Sequence, residues 1–221
     1  MKTTSFARIG ELTTRVMLAV LVIPTSQITC WNTEKFSGIE ANGVTVSKNG
    51  ILVTVRKSAS PLIYDFKSEL KIKGFTVSGE FLGLPHFADV SKQGTSDQDD
   101  FPLRIGFIVP GEKRLSGFKK IFASDWVKNL YKRVPPGAGL DHIQFFNVTQ
   151  NEKQVGQERI HPKSELIHEK FFAVVKTLGA YKFTYTLDMP ISAIALWISI
   201  DGDDTKSDYD VLISELSLDV D

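Results

Sequence analysis

A mainly β, single-domain chain folded as an antiparallel β-sandwich is predicted by three features of the sequence. Short β-branched and aromatic segments recur along its length, Gly-, Asn- and Asp-rich turns separate them, and no strand–helix–strand rhythm appears. Residues 44–46 and 51–55 come first, joined by Ser47, Lys48, Asn49 and Gly50. An Asn-Gly pair accepts the positive φ of a tight turn, so these two segments read as a hairpin. After Pro61 come residues 62–66, then residues 70–81, whose alternation changes phase around Gly74 as it would at a β-bulge. Residues 103–109, 143–148, 181–187, 194–200 and 211–218 supply five more strands. The strict alternation from Tyr181 to Leu187 marks one buried and one wetter face.

One stretch breaks the pattern. Phe118, Phe122, Trp126 and Leu130 recur every four residues beside Ile121, Val127 and Tyr131, which is helical spacing. Ser124 or Asp125 is suited to start a second helix, and Pro135-Pro136-Gly137 stops the segment. One or two short helices are therefore expected at residues 115–133. Residues 163–176 read either as another short helix or, at 171–175, as a strand.

The N-terminus has the character of an export signal: Lys2, Arg8 and Arg15 precede the apolar run 16–23, and Pro24, Thr25, Ser26 and Cys30 follow. Eight residues of helix cover only about 12 Å against a hydrocarbon core of about 30 Å, so the run does not span a bilayer. Residues 1–30 are read as the signal and residues 31–221 as one sandwich domain, placed in a periplasm or secreted. Cys30, the only cysteine, admits two processing routes. Lipidation wants an apolar residue three positions earlier and a small one directly before, where Gln27 and Thr29 stand, so simple cleavage near Cys30 is the better fit, and no intrachain disulfide is available.

Basic and acidic residues number 26 each, and the signal holds three of the first against one of the second, which leaves the domain slightly acidic and without the footprint nucleic-acid binding needs. Positive charge is concentrated locally. Lys113, Arg114, Lys119, Lys120, Lys128, Lys132 and Arg133 stand against Glu112 and Asp125. A helix with this face either lays its aromatic side on the sandwich with solvated lysines outside, or docks an anionic partner through Lys119, Lys120 and Lys128 with Trp126 or Tyr131 as anchor. Trp197, inside the apolar run 194–200, reads as core.

Residues 201–210 contain five aspartates. Asp201, Asp203, Asp204 and Asp208 form a candidate calcium loop, because hard cations take clustered carboxylate oxygens; an ordinary solvated turn is the alternative. Asp97, Asp99 and Asp100 raise the same question in what reads as a mobile loop. His86, His142, His161 and His168 show no zinc-ligand spacing, and Asp141 and His142, adjacent on a strand, are expected on opposite faces. No serine-hydrolase elbow or phosphate loop occurs.

Three stretches carry a resemblance: Ser58-Ala59-Ser60-Pro61-Leu62-Ile63-Tyr64, Asp99-Asp100-Phe101-Pro102-Leu103-Arg104-Ile105-Gly106, and Leu196-Trp197-Ile198-Ser199-Ile200-Asp201-Gly202-Asp203-Asp204. Together they resemble a family of uncharacterised exported bacterial proteins. The closing strand at 211–218 is similar to that of galactose-binding-like jelly rolls, which implies a jelly-roll-like sandwich of the kind found in carbohydrate-binding modules. The expected function is a non-catalytic cell-envelope binding module that recognises a glycan or another envelope component. Two rivals stand beside it: an accessory subunit docking on an envelope complex or membrane surface through residues 111–133, and a carboxylate-dependent polysaccharide hydrolase, whose paired acids leave no spacing signature.

Overall fold

Residues 19–114, 125–134 and 136–221 are described by the computed structural model. In chain order they form β1 (Ala19–Val22), β2 (Asn32–Thr33), β3 (Gly43–Ser47), β4 (Gly50–Arg56), β5 (Leu62–Phe81), β6 (Leu103–Gly111), the helix α1 (Asp125–Arg133), β7 (Gly139–Thr149), β8 (Glu158–His161), β9 (Ser164–Val174), β10 (Gly179–Ser199) and β11 (Asp208–Val220). All eleven strands join one sheet in the order β3-β4-β11-β5-β10-β6-β7-β9-β8, with β1 on β11 and β2 on β5. None of the described helices is long and apolar enough to cross a membrane.

The sheet becomes a sandwich because β5 and β10 run through both of its layers. Their mutual register shifts between Thr186 and Ile191, opposite Gly74 and Ile72, and again between Ala193 and Ala195. β11 shifts against the same part of β5, where Asp219 faces Gly74 and Val220 faces Ile72, so the phase change read at Gly74 is a bulge felt by both neighbours. Pro190, with no amide to donate, falls in the unpaired stretch of β10, where its cost is small. The pairs expected as separate strands, 62–66 with 70–81 and 181–187 with 194–200, are thus single bent strands. The first hairpin turns at Lys48-Asn49, and Gly50, paired with Ser47, takes φ +119°.

Between the layers, Ile51, Val53, Val211 and Ile213 from one side meet Leu103, Ile105, Phe107 and Phe146 from the other. Phe75 lies at the centre, 5.3 Å from Phe146 and 6.0 Å from Phe107 between ring centroids. A second, smaller core covers the outer face of the β5-β10-β6-β7 layer. There Leu130 and Val134 seal Ile63, Ile108, Phe145 and Trp197, with Trp126 and Tyr131 partly buried beside them. Arg133 fastens the helix by pairing with Asp65 and with Glu34 (2.8 Å), and Asn129 donates to Glu34 as well.

Two features differ from the sequence reading, the strand at 164–174 and one parallel pairing. Residues 164–174 are strand rather than helix: β9 pairs with β7 through residues 167–174. That pairing is parallel, an exception to the antiparallel sheet. The helix occupies 125–133, and residues 115–124, with Lys119 and Lys120, lie outside the described residues. Part of the apolar run assigned to the signal is the edge strand β1, after which Ile23 is fully buried, donates its amide to the Leu216 carbonyl, and is followed by Thr25 donating to Ser214 O.

Candidate functional site

Alternation along β6 sends Leu103, Ile105 and Phe107 to the inner core, and the residues between them, Arg104, Gly106 and Ile108, to the face under α1. Register places Gly106 between Trp197 of β10 and Phe145 of β7. A Cβ there would come 2.5 Å from Phe145 Cε1, so glycine is what allows the two rings to meet across it, edge to face at 6.1 Å. Trp126 of α1 then stands edge-on to Trp197 at 6.4 Å. With Phe36, Ile143 and Ile167 these rings wall a cavity of about 250 Å³.

Its other wall is acidic. The loop entering β6 supplies Asp99 and Asp100, and the loop leaving β10 supplies Asp201, Asp203 and Asp204. The two loops are stitched together: Asp100 accepts from the Thr205 amide (2.6 Å) and hydroxyl (2.5 Å), and the Asp99 amide donates to Asp204 (3.1 Å). The stretch expected to be mobile is therefore anchored at its C-terminal end. Arg104 is buried at the junction, with Asp99 at 3.3 Å, Asp201 at 3.2 Å and Glu169 at 3.8 Å. Arg159 binds the far sides of Glu169 (2.6 Å) and Asp99 (3.1 Å), and His161 Nε2 lies 2.8 Å from Asp99. His161 Nδ1 accepts from the Lys163 amide, which leaves Nε2 as the donor to Asp99.

Three carboxylates thus share two guanidiniums, and the surplus decides who holds a proton. Burial raises Asp99, but Arg104, His161 and Arg159 outweigh it and hold the carboxyl well below its ordinary range. Asp201 is more deeply buried than Asp99 and, among the described residues, is reached by Arg104 and the Ser199 hydroxyl (2.6 Å) alone; burial, with Asp100 and Asp203 nearby, pushes it up to about 7. Burial, reinforced by Asp100 and Asp204, raises Asp203 to about 6. Asp201 is the odd carboxylate and spends part of its time protonated at neutral pH.

Of the residues picked from sequence, Trp126, Asp201, Asp203 and Asp204 line this one cavity. Asp208 is exposed at the start of β11, away from it. Among the described residues no three His, Cys, Asp or Glu side chains are grouped so as to hold a metal ion. Trp126 and Tyr131 pack inward on the sheet, and Lys128 lies on the same helix. Trp197 is buried, as read, yet also lines the cavity. Asp141 and His142 do touch, at 3.1 Å, because the register slips between Val109 and Pro110 and leaves Asp141 unpaired, off the strict alternation. His142 also stacks on His168 at 4.1 Å.

Sequence reasoning missed Arg104 as a site residue. Its neighbours in sequence, Asp99 and Asp100, were noticed, and residues 58–64, 99–106 and 196–204 converge here, since Ala59 bridges Asp201 and the Gly202 amide donates to Ser58 O.

No protein-family model matches the chain, and no curated protein sequence matches it. Solved structures overlap it across most of its length. A xylan-binding module CBM15 aligns at 11% identity over 92% of this chain and 97% of its own, with a TM-score of 0.39. The exoplasmic/lumenal domain of VIP36 in its Ca²⁺/Man3GlcNAc-bound form aligns at 10% over 91% and 89%, TM-score 0.37. Xylanase10C from Cellvibrio japonicus, in complex with xylopentaose, aligns at 11% over 90% of this chain and 28% of that one, TM-score 0.37. Overlaps this loose carry no ligand across.

Proposed function

We propose that the cavity binds a sugar unit of a glycan and that the protein is a non-catalytic binding module, exported as its N-terminal sequence suggests. One observation carries this reading: Trp126, Trp197 and Phe145 line the same cavity as Asp99, Asp201, Asp203 and Arg104. A sugar ring offers apolar C–H faces to aromatic walls and a rim of hydroxyls that need hydrogen-bond partners, and an apolar pocket with a few convergent polar groups answers both. The volume suits one or two rings. Titration with neutral and charged oligosaccharides, followed by tryptophan fluorescence and calorimetry, tests it. Trp126→Ala is expected to weaken binding at least tenfold without unfolding the domain, because Trp126 is only half buried. Failure of every oligosaccharide to bind would refute the reading.

A hydrolase reading draws on Asp201 and Asp203, two carboxyls on one cavity that burial raises, either of which is suited to the role of protonated acid. Asp99 is poorly placed to join them as nucleophile, because Arg104, Arg159 and His161 already occupy its oxygens. Release of reducing ends from polysaccharide, abolished by Asp201→Asn, would establish this reading over the first.

A further inference from the structure

The cavity carries more negative charge than its own cations balance. Arg104 is committed to Asp99, Asp201 and Glu169, and Lys163 donates to the Ser96 carbonyl (2.7 Å). On the rim, Lys206 donates to the Asp203 backbone carbonyl (2.6 Å) rather than to its carboxylate. Asp100 and Asp204 are engaged by backbone amides and Thr205. Among the described residues no other side chain donates to the Asp203 carboxylate, which lines the cavity half buried. A second group there lacks a partner among the described residues: Trp197 is 4% exposed, and its indole Nε1 has no acceptor. Among the described residues, an anion without a paired cation and a donor without an acceptor lie on the walls of one aromatic cavity, and together they specify the chemistry of a ligand.

Resting on the sugar-binding reading above, we propose that the ligand is an amino sugar with a free ammonium group, its ammonium held by Asp203, its ring face against Trp126, and one oxygen accepting from Trp197 Nε1. A neutral sugar would leave the Asp203 charge half buried and uncompensated. An acidic sugar would meet like charge. An ammonium relieves the repulsion among Asp100, Asp203 and Asp204, and gains cation–π attraction from indole faces within about 6 Å.

The test is titration of the full chain, in parallel, with tetramers of glucosamine, N-acetylglucosamine and glucose. The glucosamine tetramer is expected to bind at least tenfold more tightly than either neutral one, and the preference should shrink as salt rises. It should be greatest between pH 6, where Asp203 ionises against Asp100, Asp204, Lys206, Arg104 and Lys163, and about 8, where an amine of the α-amino kind loses its proton. Asp203→Asn should abolish the preference, Asp203→Glu should retain it, and both should melt as cooperatively as the parent. Equal binding of all three tetramers, or a preference that survives Asp203→Asn, overturns the inference and leaves the sugar-binding reading intact. Binding of none of the three overturns the inference, and the wider oligosaccharide titration then decides the sugar-binding reading.

Discussion

Arg104 is the residue on which the acidic wall depends. A buried guanidinium facing three carboxylates is stable only as part of the set, since removing it leaves those anions in a medium that solvates them poorly. Arg104→Met is expected to cost about 3–5 kcal/mol, read as a lower urea midpoint, with Arg104→Lys intermediate because an ammonium lacks the fork that reaches several partners. Among the described residues no three carboxylates are grouped so as to hold a metal ion, so the melting temperature should be indifferent to calcium and to chelator; a rise of several degrees with calcium would restore the metal reading of Asp201, Asp203 and Asp204. Asp201 adds a pH dependence. Its folded pKa of about 7 exceeds its ordinary 3.8, so the folded state binds the extra proton, and unfolding free energy falls as pH rises from about 4 to 7. Asp99 acts oppositely, its contribution being lost as pH falls below about 4. Asp201→Asn should flatten the decline between pH 4 and 7, by an amount on the order of a few kcal/mol, in denaturant titrations at stepped pH.

At the scale of elements, Phe145 and Trp197 meet in the cavity wall because β6 has no side chain at Gly106. Gly106→Ala would drive a methyl into Phe145 and lift the floor under Trp197. Overpacking of this kind costs about 1–3 kcal/mol, and calorimetry should show a melt lowered by several degrees. Ligand affinity should fall with it, because Phe145 and Trp197 are the walls that move. The helix depends on a different logic: its apolar side was legible from the recurrence of Trp126 and Leu130, whereas its clamp, Arg133 on Glu34 and Asp65, joins residues far apart in the chain and leaves no local pattern.

Across the whole molecule, β1 and the turn after it close the edge of the β11 side of the sheet. Ile23 is buried beneath them, and Trp31 hydrogen-bonds the Pro24 carbonyl at 2.9 Å. A chain beginning after Cys30 lacks Ile23 and β1 together. It is expected to be less stable than one beginning at Ala19 by about 2–5 kcal/mol, the usual cost of emptying a buried Ile site. Equal melting temperatures for the two would return the segment to the role of a dispensable signal.

Most of the long strands, the hairpin joining β3 and β4, the bulge at Gly74 and the amphipathic residues of α1 were legible in the sequence, because each is a local pattern of side-chain period or backbone permission; the short β1, β2 and β8 were not read as strands. Residues 164–174 were not, since a segment rich in Glu, His, Lys and Phe suits helix and strand alike, and pairing with β7 settled the choice. The candidate site was legible only in fragments: aspartates in two loops, a tryptophan read as core, an arginine passed over. Asp99, Arg104, Glu169 and Asp201 become one charge network only when β6, β9 and β10 share a face. Ionisation in such a network follows burial and distance to other charges, quantities that no spacing along the chain contains.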